Sequence, residues 1–593
     1  MRLLHVALFA ALVLFAGNAP AATPKTIRTA FIIAETTFDP VVASDLYSNI
    51  INEAIFDPLL TYDFLARPVR LVPNTAAALP EVTEQGRVYT FRLKPGIHFS
   101  ADQLFGGKPR ELTAYDYAYT LKRLYDPKNR SPWLWYVEGK IIGGDEAGAA
   151  AKASGKFDYD QNIAGIETPD RYTLRIRLKD TDYNFIYIFA TAQTGAMARE
   201  VVEKYQPDPG SHPVGTGPFR LAEWKRSHKM VLEANPGYRE RVYEADPGND
   251  PKMIVIYQQM KGKKLPLVQR VEVTVVEESQ PRWLAFLNAE TDYANTPVEF
   301  VGSAFPGGKL APNLVKAGMN GQRFVETDLV YTFFNLDHPV VGGVTPEKVA
   351  LRRAIADGYN YHEDINIIRN GGAVKAESPV PPGVQGYDAN FRTNQMTYDP
   401  PRARALLEMY GYVDRNGDGY REAPDGSPLV IELASEPDST SKQFQELWKK
   451  NMDAIGIRLQ FNVAKWPDLN KQAKLGKLQM WQVAWSADYP DAENFLQLLY
   501  GPNAASGTNY ARFRNPQFDR LYERAKKMPA SPERTALYNE MNRLVAAFAP
   551  WLPQIHRLRN EVSHPWLVGY VRHPIINAPW LYLDVDESKR TVK

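Results

Sequence analysis

The 593-residue chain contains no cysteine, and that absence constrains its fold more than any motif does. The first residues read as an export signal. Arg2 precedes an apolar run from Leu3 to Phe15, broken only by His5, and Gly17-Asn18-Ala19-Pro20-Ala21-Ala22 then offers a small-x-small site, cut most simply after Ala21. The segment 1–21 is therefore expected to be a cleaved signal peptide, since the run is too short for a permanent anchor and no other run approaches ~20 apolar residues. Lipoprotein attachment would need a cysteine at the cut. A soluble periplasmic protein is expected, and without disulfides it must be held by packed cores alone.

A chain this long exceeds what one core can organise, and about three to four domains is the expectation. Removing the leader takes Arg2 with it and lowers the formal net charge from +2 to +1. So balanced a chain gives no reason to expect nucleic acid or an anionic membrane as partner.

Helical and strand patterns alternate throughout. Val88-Tyr89-Thr90-Phe91-Arg92-Leu93 alternates apolar and polar residues and closes in Pro95-Gly96, a half-buried strand and its turn. Thr113 and Asp116 are spaced as a capping box, ahead of Tyr117, Leu121 and Leu124 at helical spacing. Pro346, Pro400 and Pro532 each open a helix, with Gly358 and Gly411 expected just past the ends of the first two. Val214-Gly215-Thr216-Gly217-Pro218 lacks the Gly-Lys-Ser/Thr of a phosphate loop and reads as a tight crossover turn. The expected class is α/β in mixed layers, with no fixed-period repeat.

Chemistry concentrates in Trp485-Ser486-Ala487-Asp488-Tyr489-Pro490-Asp491-Ala492-Glu493-Asn494-Phe495, after an apolar strand containing Met480, Trp481, Val483 and Ala484. A carboxylate just past such a strand is costly to desolvate unless a cation meets it, either a Lys or Arg of the chain or a ligand ammonium. The aromatics Trp485, Tyr489 and Phe495 could equally stack a sugar. Asp488 and Asp491 could form a hydrolase pair, although sequence does not give their separation. The nine histidines are scattered, and His362-Glu363 has Asn366 where a zinc helix carries its second histidine. No Gly-x-Ser-x-Gly elbow is present. Asp414, Asn416, Asp418, Tyr420 and Asp425 fall at positions 1, 3, 5, 7 and 12 of an EF-type loop with Gly419 at position 6, a candidate structural calcium site. The competing reading is an Asn-Gly-Asp-Gly hairpin turn that needs no ion.

Several stretches together resemble the extracellular solute-binding proteins of family 5, the peptide- and oligopeptide-binding components of ABC importers. They include Leu71-Val72-Pro73-Asn74, Tyr89 to Gly96, Leu112 to Asp116, Val214 to Phe219, Phe334-Asn335-Leu336, Leu351 to Ile355, Ile455-Gly456-Ile457 and Trp485 to Phe495. The resemblance implies a bilobed cleft protein of the large type with an extra inserted domain, two hinge segments and no catalysis of its own. It implies a discontinuous lobe I (22–55, 214–299 and 551–593), the insert at 56–213 and lobe II at 300–550. By the same resemblance the ligand ammonium pairs with Asp488, and Trp485, Ser486, Ala487, Tyr489, Glu35 and Thr36 flank it. The implied partners are a peptide or peptide-like amine and an inner-membrane ABC permease, with the protein a monomer. The insertion from Ala101 to Glu111, and Asn360-Tyr361 in place of the family's Asp-Arg pair, suggest a sub-branch. Its solute could therefore be a sugar, a metal chelate or an opine instead.

Overall fold

A computed structural model describes residues 24–394, 397–506 and 508–590. The expected signal peptide lies outside the described residues.

Three sheets carry the molecule. A four-stranded sheet near the N-terminus runs in the order Thr26–Phe31, Arg270–Val275, Lys229–Ala234, Phe219–Lys225. Only its first pair is parallel. A second, antiparallel sheet is built from Glu81–Thr83, Val88–Arg92, Thr173–Arg177 and Ile166–Asp170. These two sheets share one hydrophobic core that includes Ile27, Phe91, Leu121 and Trp580, so the segment expected as an insert packs directly on the N-terminal sheet. The Gly215–Gly217 turn shows why glycine is required there. A Cβ on Gly215 would lie 2.0 Å from the Ile55 carbonyl oxygen and one on Gly217 2.6 Å from it, an approach to the chain after helix Leu46–Ile55 that no side chain permits.

The third sheet has eight strands, with Asp328–Phe334 and Met480–Ser486 antiparallel at its centre. Its two faces bury different cores, as period-2 alternation demands. Phe333, Trp481 and Trp551 face the cluster containing Phe495 and Tyr538, whereas Phe334, Met480 and Leu552 face the cluster containing Leu351, Trp448 and Ile455. Asn335, just past the central strand, donates its side-chain amide to the carbonyls of Gly476 (2.9 Å) and Leu478 (3.0 Å).

Two of the expected boundaries fall at continuously paired or packed chain. Strand Trp551–Ser563 pairs with Asp328–Phe334 over its first residues and with Asn320–Val325 and Tyr293–Asn295 over its last, so a division at 551 cuts a continuous hydrogen-bonded ladder. A division at 300 likewise splits one small core, in which Trp283 and Phe286 pack on Ala304, Phe305 and Leu314. The helix opened by Pro346 runs through Gly358, and Tyr359 rather than Gly358 caps it.

Candidate ligand-binding cleft

The strand Met480–Ser486 starts deep and ends at an opening. Met480 and Trp481 are buried, Val483 is half-buried and Ala484 exposed, so the apolar run is buried only at its start. Beyond it the chain turns through Ala487 and Asp488 at the wall of a cavity of about 250 Å³. The opposite wall comes from helix Leu46–Ile55 and the insert, including Glu53, Tyr62 and Tyr136, and from the C-terminal segment around Asn577 and Tyr582.

The three acids of the stretch have three different environments. Asp491 is fully buried and ion-paired with Arg534 (3.0 Å), and it also accepts the Tyr538 hydroxyl (2.9 Å) and the Glu493 backbone N–H (2.9 Å). Glu493, also buried, accepts the hydroxyls of Tyr489 and Tyr522. Both are structural acids at the start of helix Glu493–Leu496. Asp488 has no such partner. Its carboxylate accepts the Asn494 side-chain amide (2.9 Å), and Asn494 Oδ1 accepts both the Asp488 backbone N–H (3.1 Å) and Trp485 Nε1 (3.0 Å). Among the described residues no Lys, Arg or His lies within ion-pair distance of it, and no cation contributes to its pKa. The residue is half-exposed as a whole, but its carboxyl sits down in the cleft, where burial pushes the pKa up from 3.8 to about 6 against the opposing Asn494 hydrogen bond. Tyr136 on the facing wall has its pKa raised by burial and next by the Asp488 charge, which places the two groups near one another.

The remaining predicted residues separate. Ala487 lines the cavity, and its N–H donates to the Thr327 carbonyl (2.9 Å). Trp485 braces Asn494 as described. Ser486 is exposed, with its hydroxyl 3.5 Å from Arg557 Nη2. Tyr489 is buried and stacks on Tyr187 of the insert, with centroids 5.5 Å apart and planes within 7°. Phe495 is wholly buried in the core and cannot stack a ligand. Glu35 and Thr36 do not line the cavity. Glu35 Oε1 accepts Trp224 Nε1 (2.6 Å) and the Ser227 N–H (2.9 Å), tying down the hairpin between strands Phe219–Lys225 and Lys229–Ala234. Thr36 binds Asp45 (2.6 Å), the N-cap of helix Leu46–Ile55.

The expected calcium set is also rearranged. The oxygens of Asp414, Asp418 and Glu422 lie within 4.8 Å of one another, but Asp425 turns away to accept the N–H and hydroxyl of Ser427 (2.9 and 2.7 Å). The Tyr420 hydroxyl donates to Asp453 (3.1 Å). Donors already occupy the loop: Gly417 and Gly419 N–H groups on Asp414, Arg458 on Asp418 (2.7 Å), and the Asn416 amide on Glu422 (2.9 Å). A guanidinium and an amide N–H₂ stand where a cation needs acceptors, so the residues as arranged do not fit calcium.

Sequence reasoning missed Asn494, which is one more amide in a polar stretch until the fold turns it back on Asp488. It also missed Asn184 and Tyr187. From the 3₁₀ segment Tyr183–Ala190 of the insert, Asn184 Nδ2 reaches Asp491 (3.2 Å) and Glu493 (3.4 Å) on the other lobe. No local pattern marks either residue.

Two lobes that meet over a small cavity with an unneutralised carboxylate define the class: a bilobed solute-binding protein. The chain belongs to the bacterial extracellular solute-binding proteins of family 5, whose middle-region model matches residues 70–507. It is 27% identical to di/tripeptide-binding protein 2 of Pseudomonas aeruginosa over 95% of this chain and 96% of that one. It is 25% identical to heme-binding protein A of Haemophilus influenzae over 83% and 80% of the two chains. In fold it is similar to the periplasmic binding protein DppA of Helicobacter pylori, solved with the peptide STSA. That match has a TM-score of 0.70 at 21% identity and covers 94% of this chain and 98% of the other.

Proposed function

We propose that the protein captures short peptides by their free amino terminus in the periplasm, as a monomer, and delivers them to an ABC permease without chemical change. The observation that carries this reading is Asp488, a cleft carboxylate that the fold surrounds with an amide and no cation. An ammonium seated there regains the pairing that burial took away, through a charge-assisted bond of roughly 1.5–3 kcal/mol. Ligand that touches both walls favours the closed arrangement, because only that arrangement offers both sets of contacts. Glu53, the other carboxylate at the cavity without a cation, is saturated by the N–H groups of Asn577 and Ala578 (2.9 Å each) and the Asn577 amide (3.3 Å). That leaves it poorly placed to act as a general base on a ligand. The likeness to a di/tripeptide-binding relative supports the same solute class. Haem has less support, since the cavity of about 250 Å³ is lined by no histidine or methionine.

Mass spectrometry of ligand released on denaturing the purified protein, followed by a thermal-shift screen of di- to pentapeptides, tests the reading. Peptides are expected in the released fraction and as stabilisers. A released ligand without a primary amine, together with no stabilisation by any peptide, would overturn it.

A further inference from the structure

Strand Asn320–Val325 is paired on one side only. Its partner, Trp551–Ser563, fixes which way each main-chain group points. Arg557 accepts the Glu326 N–H (2.8 Å) and donates its own to Asp328 (3.0 Å), while Leu558 and Asn560 bond the other way, to Gly372 (2.8 Å) and Thr296 (2.7 Å). Alternation therefore turns Asn320, Gln322 and Phe324 onto that partner and directs the N–H and C=O of Gly321, Arg323 and Val325 outward. Among the described residues no backbone or side-chain group bonds those outward donors and acceptors. The strand contains no proline or lysine, common protections of such an edge, and the Arg323 guanidinium bends away to Asn560 (2.7 Å) and Gly371 (3.1 Å).

This strand lines a groove of about 1420 Å³ that shares no lining residue with the cavity at Asp488. The Gln322 side chain ties the C-terminal segment to it, donating to the Tyr570 carbonyl (2.9 Å) and accepting the Arg572 N–H (3.1 Å). Helix Pro251–Met260 also lines the groove; it is apolar in sequence yet buries only Met260, and Val255 is 56% exposed. Charge around the groove is unequally neutralised. Its four acids are all engaged: Asp584 holds Lys25 (2.6 Å) and Lys263 (3.3 Å), Asp586 holds Lys589 (3.1 Å), Glu587 holds Arg590 (3.0 Å), and Asp250 caps the helix (2.8 Å). Among the described residues no carboxylate lies within ion-pair distance of Arg67, Lys252 or Arg572. The two guanidiniums meet only carbonyl and amide oxygens.

We propose that this groove takes an extended segment of a partner protein, acidic and apolar at alternate positions, which adds as a strand to the free edge at 321–325. Main-chain bonds to Gly321, Arg323 and Val325 supply affinity, apolar side chains cover Val255, and acidic ones meet Arg67, Lys252 and Arg572. Size supports a polypeptide occupant, since about 1420 Å³ exceeds the ~300–1,000 Å³ usual for small-molecule pockets. Charge supports an acidic one, because the groove's own acids are spent and its unpaired groups are all cationic.

Titration calorimetry with octapeptides acetylated at one end and amidated at the other tests this, and the blocked termini keep the result separate from the Asp488 reading. A set alternating Glu or Asp with Val or Ile is expected to bind, and the same set with Lys in place of the acids to bind about tenfold more weakly or worse. Val325→Pro removes one outward N–H and spares the ladder to Trp551–Ser563, so it should weaken the acidic peptides about three- to tenfold. Val255→Asp, on the exposed helix face, should weaken them as well by setting like charge against the peptide. Failure of every acidic peptide to bind the wild type, or equal binding of the acidic and basic sets, would overturn the proposal without any variant having to fold. A concentration-dependent dimer in sedimentation that Val325→Pro dissolves would also overturn it, by giving the edge to a second copy of this chain.

Discussion

The Asn184 side-chain amide crosses from the inserted domain to donate to Asp491, 3.2 Å away in the opposite lobe. Asp491 already has Arg534 and Tyr538, so this bond adds little to the lobe itself. What it adds is a link between lobes, reinforced by the stacked pair Tyr187–Tyr489, an arrangement worth roughly 0.5–1.5 kcal/mol beyond area burial.

Asn184→Ala should therefore weaken ligand binding without touching ligand. A lost hydrogen bond to a charged acceptor costs roughly 1.5–3 kcal/mol, and because the bond spans the closed cleft the loss should appear as roughly ten- to hundredfold lower affinity. Calorimetry should show the weaker binding, and small-angle scattering should show a more open liganded population. Unchanged affinity would mean that the contact does not favour closure.

Asp488 links affinity, stability and pH. With its carboxyl pKa raised to about 6, it is ionised above that pH and can meet an ammonium. Below about 6 the carboxyl keeps its proton, and affinity for free-amine peptides should fall about tenfold per pH unit. The sign for stability is opposite. The folded state holds this proton more tightly than the unfolded chain does, so the group's contribution to stability of the ligand-free protein declines as pH rises from about 4 through about 6. Asp488→Asn should flatten the binding profile in that window, raise the melting temperature of the ligand-free protein at pH 7.5, and weaken free-amine peptides far more than acetylated ones. Equal losses for both peptide forms would defeat the ammonium role.

Arg534 and Asp491 form a buried pair, each almost wholly enclosed. Arg534→Met leaves Asp491 as an unpaired buried charge and should destabilise the protein by about 3–5 kcal/mol in denaturant unfolding. The double variant Arg534→Met with Asp491→Leu should recover a substantial part of that loss, because no charge is then left stranded.

The loop at Asp414 should be indifferent to metal. Neither millimolar calcium nor chelator is expected to move the melting temperature, since Arg458 and Asn416 already supply the donors its oxygens need. A calcium-dependent rise of several degrees would show that the loop rearranges around the ion.

Local chemistry was legible from the chain alone wherever neighbours in sequence set it. Thr113 and Asp116 do cap a helix, with the Asp116 carboxylate accepting the Thr113 N–H at 2.8 Å. Prolines at 346, 400 and 532 do open helices. The two glycines of the 215–217 turn are there for a close backbone approach rather than for a phosphate. Of the three acids, Glu493 opens a short helix after Pro490, with Asp491 just before it, whereas Asp488 lies ahead of that turn.

What the chain could not show was which charge meets which. Glu35 was expected beside the ligand by resemblance and is instead tied to Trp224 and Ser227. The reason is physical. Neutralisation of a buried charge depends on groups brought together from distant positions such as 491 and 534, and spacing along the chain carries no record of those distances. The sequence alone determined the helix starts, the turns, the alternating strands and the family. Only tertiary structure decided that Asp488 would face the cavity with an amide and no cation, while Asp491 found Arg534.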